Sequence, residues 1–198
     1  MLQVVKSGIG LLFVFVFISG CASQGTTSGT EEKTRESTDV FEEEVVLAEA
    51  EDFFGEGAAG VADVLNKVFS EKGRPNGYIK GQEGGGALVL GVRYGHGTLH
   101  MKNGTTREVF WRGPSIGFDV GANGSKAFVL IYDLPDVESL FQRYPGVDGS
   151  LYFIGGVGVN YNRSGDIILA PVRLGVGWRQ GINVGYMRVA RESSWIPF

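Results

Sequence analysis

The chain has 198 residues, 43% of them apolar, with 18 basic side chains, 22 acidic ones and a single cysteine. That length supports one domain with a real core, while the balanced charge argues against a nucleic-acid-binding protein. One cysteine cannot build a disulfide framework, and two histidines do not make a zinc site.

Residues 1–20 have the layout of a secretory signal: Lys6 is the only charge, and Ile9 to Ile18 (IGLLFVFVFI) is almost wholly apolar. The run is shorter than the roughly 20 residues a membrane-spanning helix needs. It ends in Ile18-Ser19-Gly20-Cys21, a lipobox, so Cys21 is expected to be the cleavage and lipidation site. Acylation plus the amino-terminal lipid gives more than one chain, enough for stable anchoring. Ala22 follows where an aspartate would retain an enterobacterial lipoprotein at the inner membrane. The expected address is therefore the periplasm, anchored to the inner leaflet of the outer membrane.

Residues 21–57 are expected to be the lipidated cysteine and an acidic, flexible linker. Ten acids lie between residues 22 and 52, against Lys33 and Arg35. Residues 22–38 are mostly Ser, Thr, Gly and Glu and cannot bury a core, although a helix could start near Asp39 and Glu42. A fully flexible tether of this length would span about 33 Å root-mean-square. Residues 53–198 carry 12 acids and 15 bases, net +3, so an acidic tether precedes a mildly basic domain.

Residues 58–198 read as the folded domain. Val61, Val64, Leu65, Val68 and Phe69 fall on one helical face, ended by Gly73 and Pro75. A second, shorter helix is expected over Pro135–Arg143. Most of the remainder alternates with period two: Leu88 to Tyr94, Ile116 to Val120, Phe153 to Tyr161, and Val172 to Trp178. Asn103-Gly104 and Asn123-Gly124 are hairpin signals, and Asn162 to Gly165 and Gln180-Gly181 read as further turns. There are 32 glycines, over twice the roughly 7% share that is usual, and many lie inside strands. Barrel curvature, bulges or a helix lying close on a glycine face would each explain them. The expectation is a mainly β monomer: a small closed antiparallel β-barrel of about eight or nine strands, with one or two short helices packed on it.

No catalytic constellation stands out, and no cofactor is expected. Gly113-Pro114-Ser115-Ile116-Gly117 matches the nucleophile-elbow pattern, but Ile116, Phe118 and Val120 continue as a strand where that mechanism needs a helix. His96 and His100 would lie roughly 13 Å apart on a strand, too far for one ion. The acids sit singly at turns or strand ends, the glycine runs miss the phosphate-binding fingerprints, and the N-x-S/T sites at Asn103, Asn123 and Asn162 look like turns. A binding signal remains in arginines on glycine-bearing strand faces. Arg93, Arg173, Arg179 and Arg188, with Asp119, form the candidate ligand-binding set, because guanidinium forks suit phosphate.

Four segments carry a family resemblance: Gly91–Leu99 (GVRYGHGTL), Trp111–Gly121 (WRGPSIGFDVG), Arg143–Ser150 (RYPGVDGS) and Trp195–Phe198 (WIPF). They resemble the bacterial envelope integrity protein A family over roughly residues 75–198. The resemblance implies a small periplasmic β-barrel that contributes to envelope homeostasis and has no established enzymatic activity. A more distant likeness is to lipid-binding SYLF domains, which also have a glycine-rich β core. The lipobox departs from the plain secretion of that family. The expected function is thus that of a lipid-anchored envelope protein binding an anionic lipid, lipopolysaccharide or a periplasmic protein. An envelope hydrolase using Ser115 and a transmembrane β-barrel ending at Phe198 are the alternatives.

Overall fold

The computed structural model describes residues 39–55, 60–148, 150–174 and 185–194, and for 86–90 and 115–124 the backbone only. The signal peptide, Cys21, most of the acidic tether, Gln180-Gly181 and Arg179 lie outside the described residues.

Among the described residues two helices come first, α1 (Glu43–Phe54) and α2 (Val61–Lys72). Their apolar residues recur every three or four positions, so each helix has one face to bury. In α1 that face is Val46, Ala50 and Phe54; in α2 it is Val61, Val64, Leu65, Val68 and Phe69, the set expected from the sequence. Gly73, at φ 74°, ends α2 by donating its N–H to the Phe69 carbonyl at 2.7 Å. Helix α1, within the stretch 21–57 expected to be tether, packs on the sheet as part of the core. Its acids are not all solvated tether. Glu42 pairs with Arg74 at 2.7 Å rather than capping the helix, and Glu49 pairs with Lys80 at 2.6 Å. Lys126 donates to the last carbonyls of α1, reaching Phe53 at 2.7 Å.

Among the described residues eight antiparallel strands follow: β1 (Gly77–Met101), β2 (Thr106–Tyr132), β3 (Arg143–Pro145), β4 (Tyr152–Ile154), β5 (Val157–Val159), β6 (Asn162–Ser164), β7 (Ile167–Leu174) and β8 (Tyr186–Ala190). They form one sheet in the order β3-β8-β2-β7-β5-β4, with β1 beside β2 and β6 beside β7. The sheet curls until β3 meets β6, through the bridge Gly146↔Asn162 and a 2.9 Å bond from the Val147 N–H to the Tyr161 carbonyl. The mainly β, barrel-like expectation holds.

The long hairpin β1–β2 corrects the expected turns. The chain reverses at Asn103-Gly104, where Asn103 Oδ1 accepts the Thr105 N–H at 3.0 Å. Asn123-Gly124 lies within β2 and not at a turn. Glu83 pairs with Ser125 and Gly85 with Gly121, so two extra β2 residues bulge out opposite Gly84. The run from Phe153 to Tyr161 is likewise broken, by a two-residue turn at Gly155 and Gly156, both at positive φ, between β4 and β5. Phe153 is left exposed while Val157, Val159 and Tyr161 are buried. The helix expected over Pro135–Arg143 shrinks to one 3-10 turn, Glu138–Leu140, because Arg143 is already in β3. The turn after β6 is Gly165-Asp166, which leaves Asn162 inside the domain at 0% exposure rather than at a surface turn.

Each face of the sheet has its own core. One carries Tyr78, Phe128, Leu130, Tyr161 and Val172 beneath the two helices. The other lies inside the curl and gathers Ile79, Leu99, Val109, Trp111, Val129, Leu140, Tyr144, Leu169 and Met187. Burying the five apolar residues of α2 alone contributes on the order of 10 kcal/mol, at roughly 1.5–3 kcal/mol each.

Candidate functional site

Strand alternation puts Glu83 on the same face as Ile79, inside the curl, and the close packing beside it depends on glycines. Beyond the bulge β1 folds back over itself, so a Cβ on Gly97 would stand 2.7 Å from the Gly81 Cα. Gly81 and Gly95 both lie against the Trp111 ring; a Cβ on Gly81 would come within 2.7 Å of Trp111 Cη2. Close approach of backbone to backbone, and to one indole, is why these strand-interior positions are glycine.

Glu83 is 2% exposed and is surrounded by donors. Arg93 Nη1 donates to its Oε1 at 3.0 Å, Trp111 Nε1 to its Oε2 at 3.1 Å, and Arg173 grips both oxygens, through Nε and, at 3.3 Å, Nη2. Arg173 Nη1 also donates to Asn160 Oδ1 at 2.9 Å. Asn160 passes the chain to Asn162 at 2.9 Å, and Asn162 to the Tyr144 carbonyl at 3.2 Å. Burial opposes ionisation of Glu83, but the adjacent Arg173 and Arg93 charges and the Arg173 and Trp111 hydrogen bonds outweigh it. They hold the carboxyl below the usual carboxylate range. Two guanidiniums on one carboxylate leave this inner centre with a net charge of +1.

A second arginine group stands on the opposite face of the sheet. Arg112 in β2 lies directly across from Arg188 in β8, and Arg188 directly across from Arg143 in β3; on the other side, Arg112 faces Tyr94 in β1. Residues opposed in neighbouring strands share a face, with Cα atoms about 4.5–5.5 Å apart. Like charges so placed destabilise a sheet. Arg143 stacks on the Tyr186 ring, 4.3 Å from guanidinium carbon to centroid. Arg112 is 8% exposed, and its Nε is buried with no hydrogen-bond partner among the described residues. A pocket of about 190 Å³, bordered by Glu83, Tyr94, His96 and Phe110 and by none of the three arginines, lies next to this row in the strand register.

The structure therefore divides the arginines singled out in the sequence. Arg93 and Arg173 converge on Glu83 and are engaged there, while Arg188 joins the outer row. Asp119 is in β2 but its side chain is outside the description, as is all of Arg179. Sequence reasoning missed Glu83, Trp111, Asn160, Asn162, Arg112 and Arg143. Glu83 did leave a signal, since glutamate is depleted in strands and this one sits among glycines. The outer row left none, because its three arginines come from separate segments. Ser115 lies in mid-strand opposite Gly91, without the strand-to-helix turn of a nucleophile elbow. His96 is exposed and His100 stacks on Tyr78, with ring centroids 5.0 Å apart. Among the described residues no three metal-ligating side chains cluster, and no helix is long and apolar enough to cross a membrane.

Comparison with known proteins decides the family. The profile of envelope integrity protein A matches residues 39–198, from just before α1 to the end of the chain. The chain belongs to the envelope integrity protein A family. Membership ties it to the integrity of the cell envelope. A solved structure of a β-barrel-like, uncharacterised protein from Brucella abortus is 43% identical, covering 81% of this chain and 99% of its own, with a TM-score of 0.73. No curated protein matches at a significant level. The family match starts at residue 39, so envelope integrity protein A includes α1, in agreement with its packing on the sheet.

Proposed function

We propose that this chain is a lipid-anchored periplasmic protein, held by Cys21 at the inner leaflet of the outer membrane, which supports envelope integrity by binding an anionic component or partner. It works without turning over a substrate. The observation that carries this reading is the outer arginine row. Inside the curl the fold gives Arg93 and Arg173 a carboxylate, but it sets Arg112, Arg188 and Arg143 side by side with no acid among the described residues to offset them. Helices α1 and α2 over one sheet face favour a water-surrounded domain over a transmembrane barrel, whose outer face must meet lipid. The mid-strand position of Ser115 weighs against the hydrolase.

The test compares two strains. In one, Arg112 and Arg188 become glutamine; in the other, Ser115 becomes alanine, with folding of both checked by circular dichroism. The arginine variant should reproduce the detergent and cell-wall-antibiotic sensitivity of a deletion, and Ser115→Ala should behave as wild type. The opposite pattern would hand the case to the hydrolase.

A further inference from the structure

We infer that Arg112, Arg188 and Arg143 form a receptor for a phosphate monoester, whose organic part lies in the pocket beside Tyr94 and Phe110; this rests on the anion-binding reading above. The register makes the three arginines one row across β2, β8 and β3. Arg112 is 8% exposed and its Nε has no partner among the described residues, an arrangement that is costly unless an anion completes it. The stack of Arg143 on Tyr186 occupies the face of that guanidinium and leaves its N–H edge for a ligand.

The charge count selects the ligand. The inner centre tolerates a surplus of one positive charge over Glu83. Three outer arginines meeting a carboxylate would keep a surplus of two. A phosphate monoester, close to −2 at neutral pH, restores the inner centre's surplus of one, and its terminal oxygens accept forked N–H pairs from more than one arginine. The pocket of about 190 Å³ is smaller than the roughly 300–1,000 Å³ of drug-sized sites. It suits a headgroup or a small ester. Phe110 is two residues from Arg112 along β2 and Tyr94 is the β1 partner of Arg112, so the pocket's aromatic border adjoins the row.

A lipid headgroup and a soluble ester share this chemistry, and two arms of one experiment separate them. The full chain, held in neutral-detergent micelles, is titrated calorimetrically with glycerol phosphate and, separately, with micelles carrying phosphatidic acid. Glutarate, a dianion without phosphorus, is the control ligand. Saturable binding in either phosphate arm is the expected result: in the soluble arm it identifies a free ester, in the micelle arm alone a lipid headgroup. Arg112→Gln with Arg188→Gln should weaken it about a hundredfold, two charge-assisted contacts being lost, while Arg163→Gln should leave it unchanged. If the double variant fails to fold, the exposed Arg143→Gln should by itself weaken binding about tenfold. Glutarate binding with the same arginine dependence, but no phosphate binding, overturns the monoester and leaves the anion-binding reading standing. Absence of binding by all three ligands, or binding indifferent to the arginines, overturns the receptor.

Discussion

Arg173 reaches across the inside of the curl to grip both carboxylate oxygens of Glu83, a residue ninety positions earlier in the chain. The pair joins the middle of the β1–β2 hairpin to β7. Arg93, Trp111 and Asn160 complete it, so that all but one formal charge is compensated where water is excluded.

Breaking that centre should be costly. Glu83→Gln leaves Arg93 and Arg173 buried against a neutral amide, and the loss expected on removing one partner of a buried ion pair is about 3–5 kcal/mol. Urea unfolding of the variant measures it. A loss under about 1 kcal/mol would mean that water or a rearranged arginine relieves the charge.

The same residue should govern acid stability. The carboxyl of Glu83 is held below its ordinary value of 4.5 in the folded protein. Its contribution is therefore fully present above pH 4.5 and is lost as the pH falls from there through the folded-state value, because the unfolded chain takes up the proton first. Stability measured from pH 6 downward should fall below that point, and Glu83→Gln should flatten the fall.

Trp111 and Gly95 should behave as one unit. A methyl group at residue 95 would overlap the indole, which lies directly against that glycine. Gly95→Ala should cost about 1–3 kcal/mol, the usual penalty for overpacking. Combined with Trp111→Leu, which removes the overlapping ring, its further cost should shrink. Strict additivity in a double-mutant cycle would show that the glycine serves some purpose other than room for the ring.

Helix α1 should prove part of the domain. Phe54 is 6% exposed, so Phe54→Ala should destabilise by about 3–5 kcal/mol. A chain beginning at residue 58 should lose stability or aggregate, since Tyr78 and Phe128 would lose cover. Sedimentation and urea midpoints would show it, and an unchanged midpoint would return α1 to the tether.

The anchor has its own test. Cys21→Ala should leave the signal uncleaved at that site and abolish acyl labelling, whereas normal labelling would exclude Cys21 as the acceptor.

Much of this was legible in the linear chain because it depends on local pattern. The apolar stripe of α2, the reversal at Asn103-Gly104, the alternation of β7 and the lipobox are each written within about a dozen neighbouring residues, and each matched segment of the family resemblance is as short. The tertiary structure decided what depends on distant pairings. Asn123-Gly124 would turn the chain if free to do so, but twenty-three registered pairs between β1 and β2 hold it inside a strand as a bulge. The acids of α1 look like tether until Arg74 and Lys80 meet them and the apolar face finds the sheet. Arg93 and Arg173 look alike in sequence to Arg188. Only the curl sets the first two against Glu83 and lines the third up with Arg112 and Arg143, because strand register, not residue type, determines which charges become neighbours.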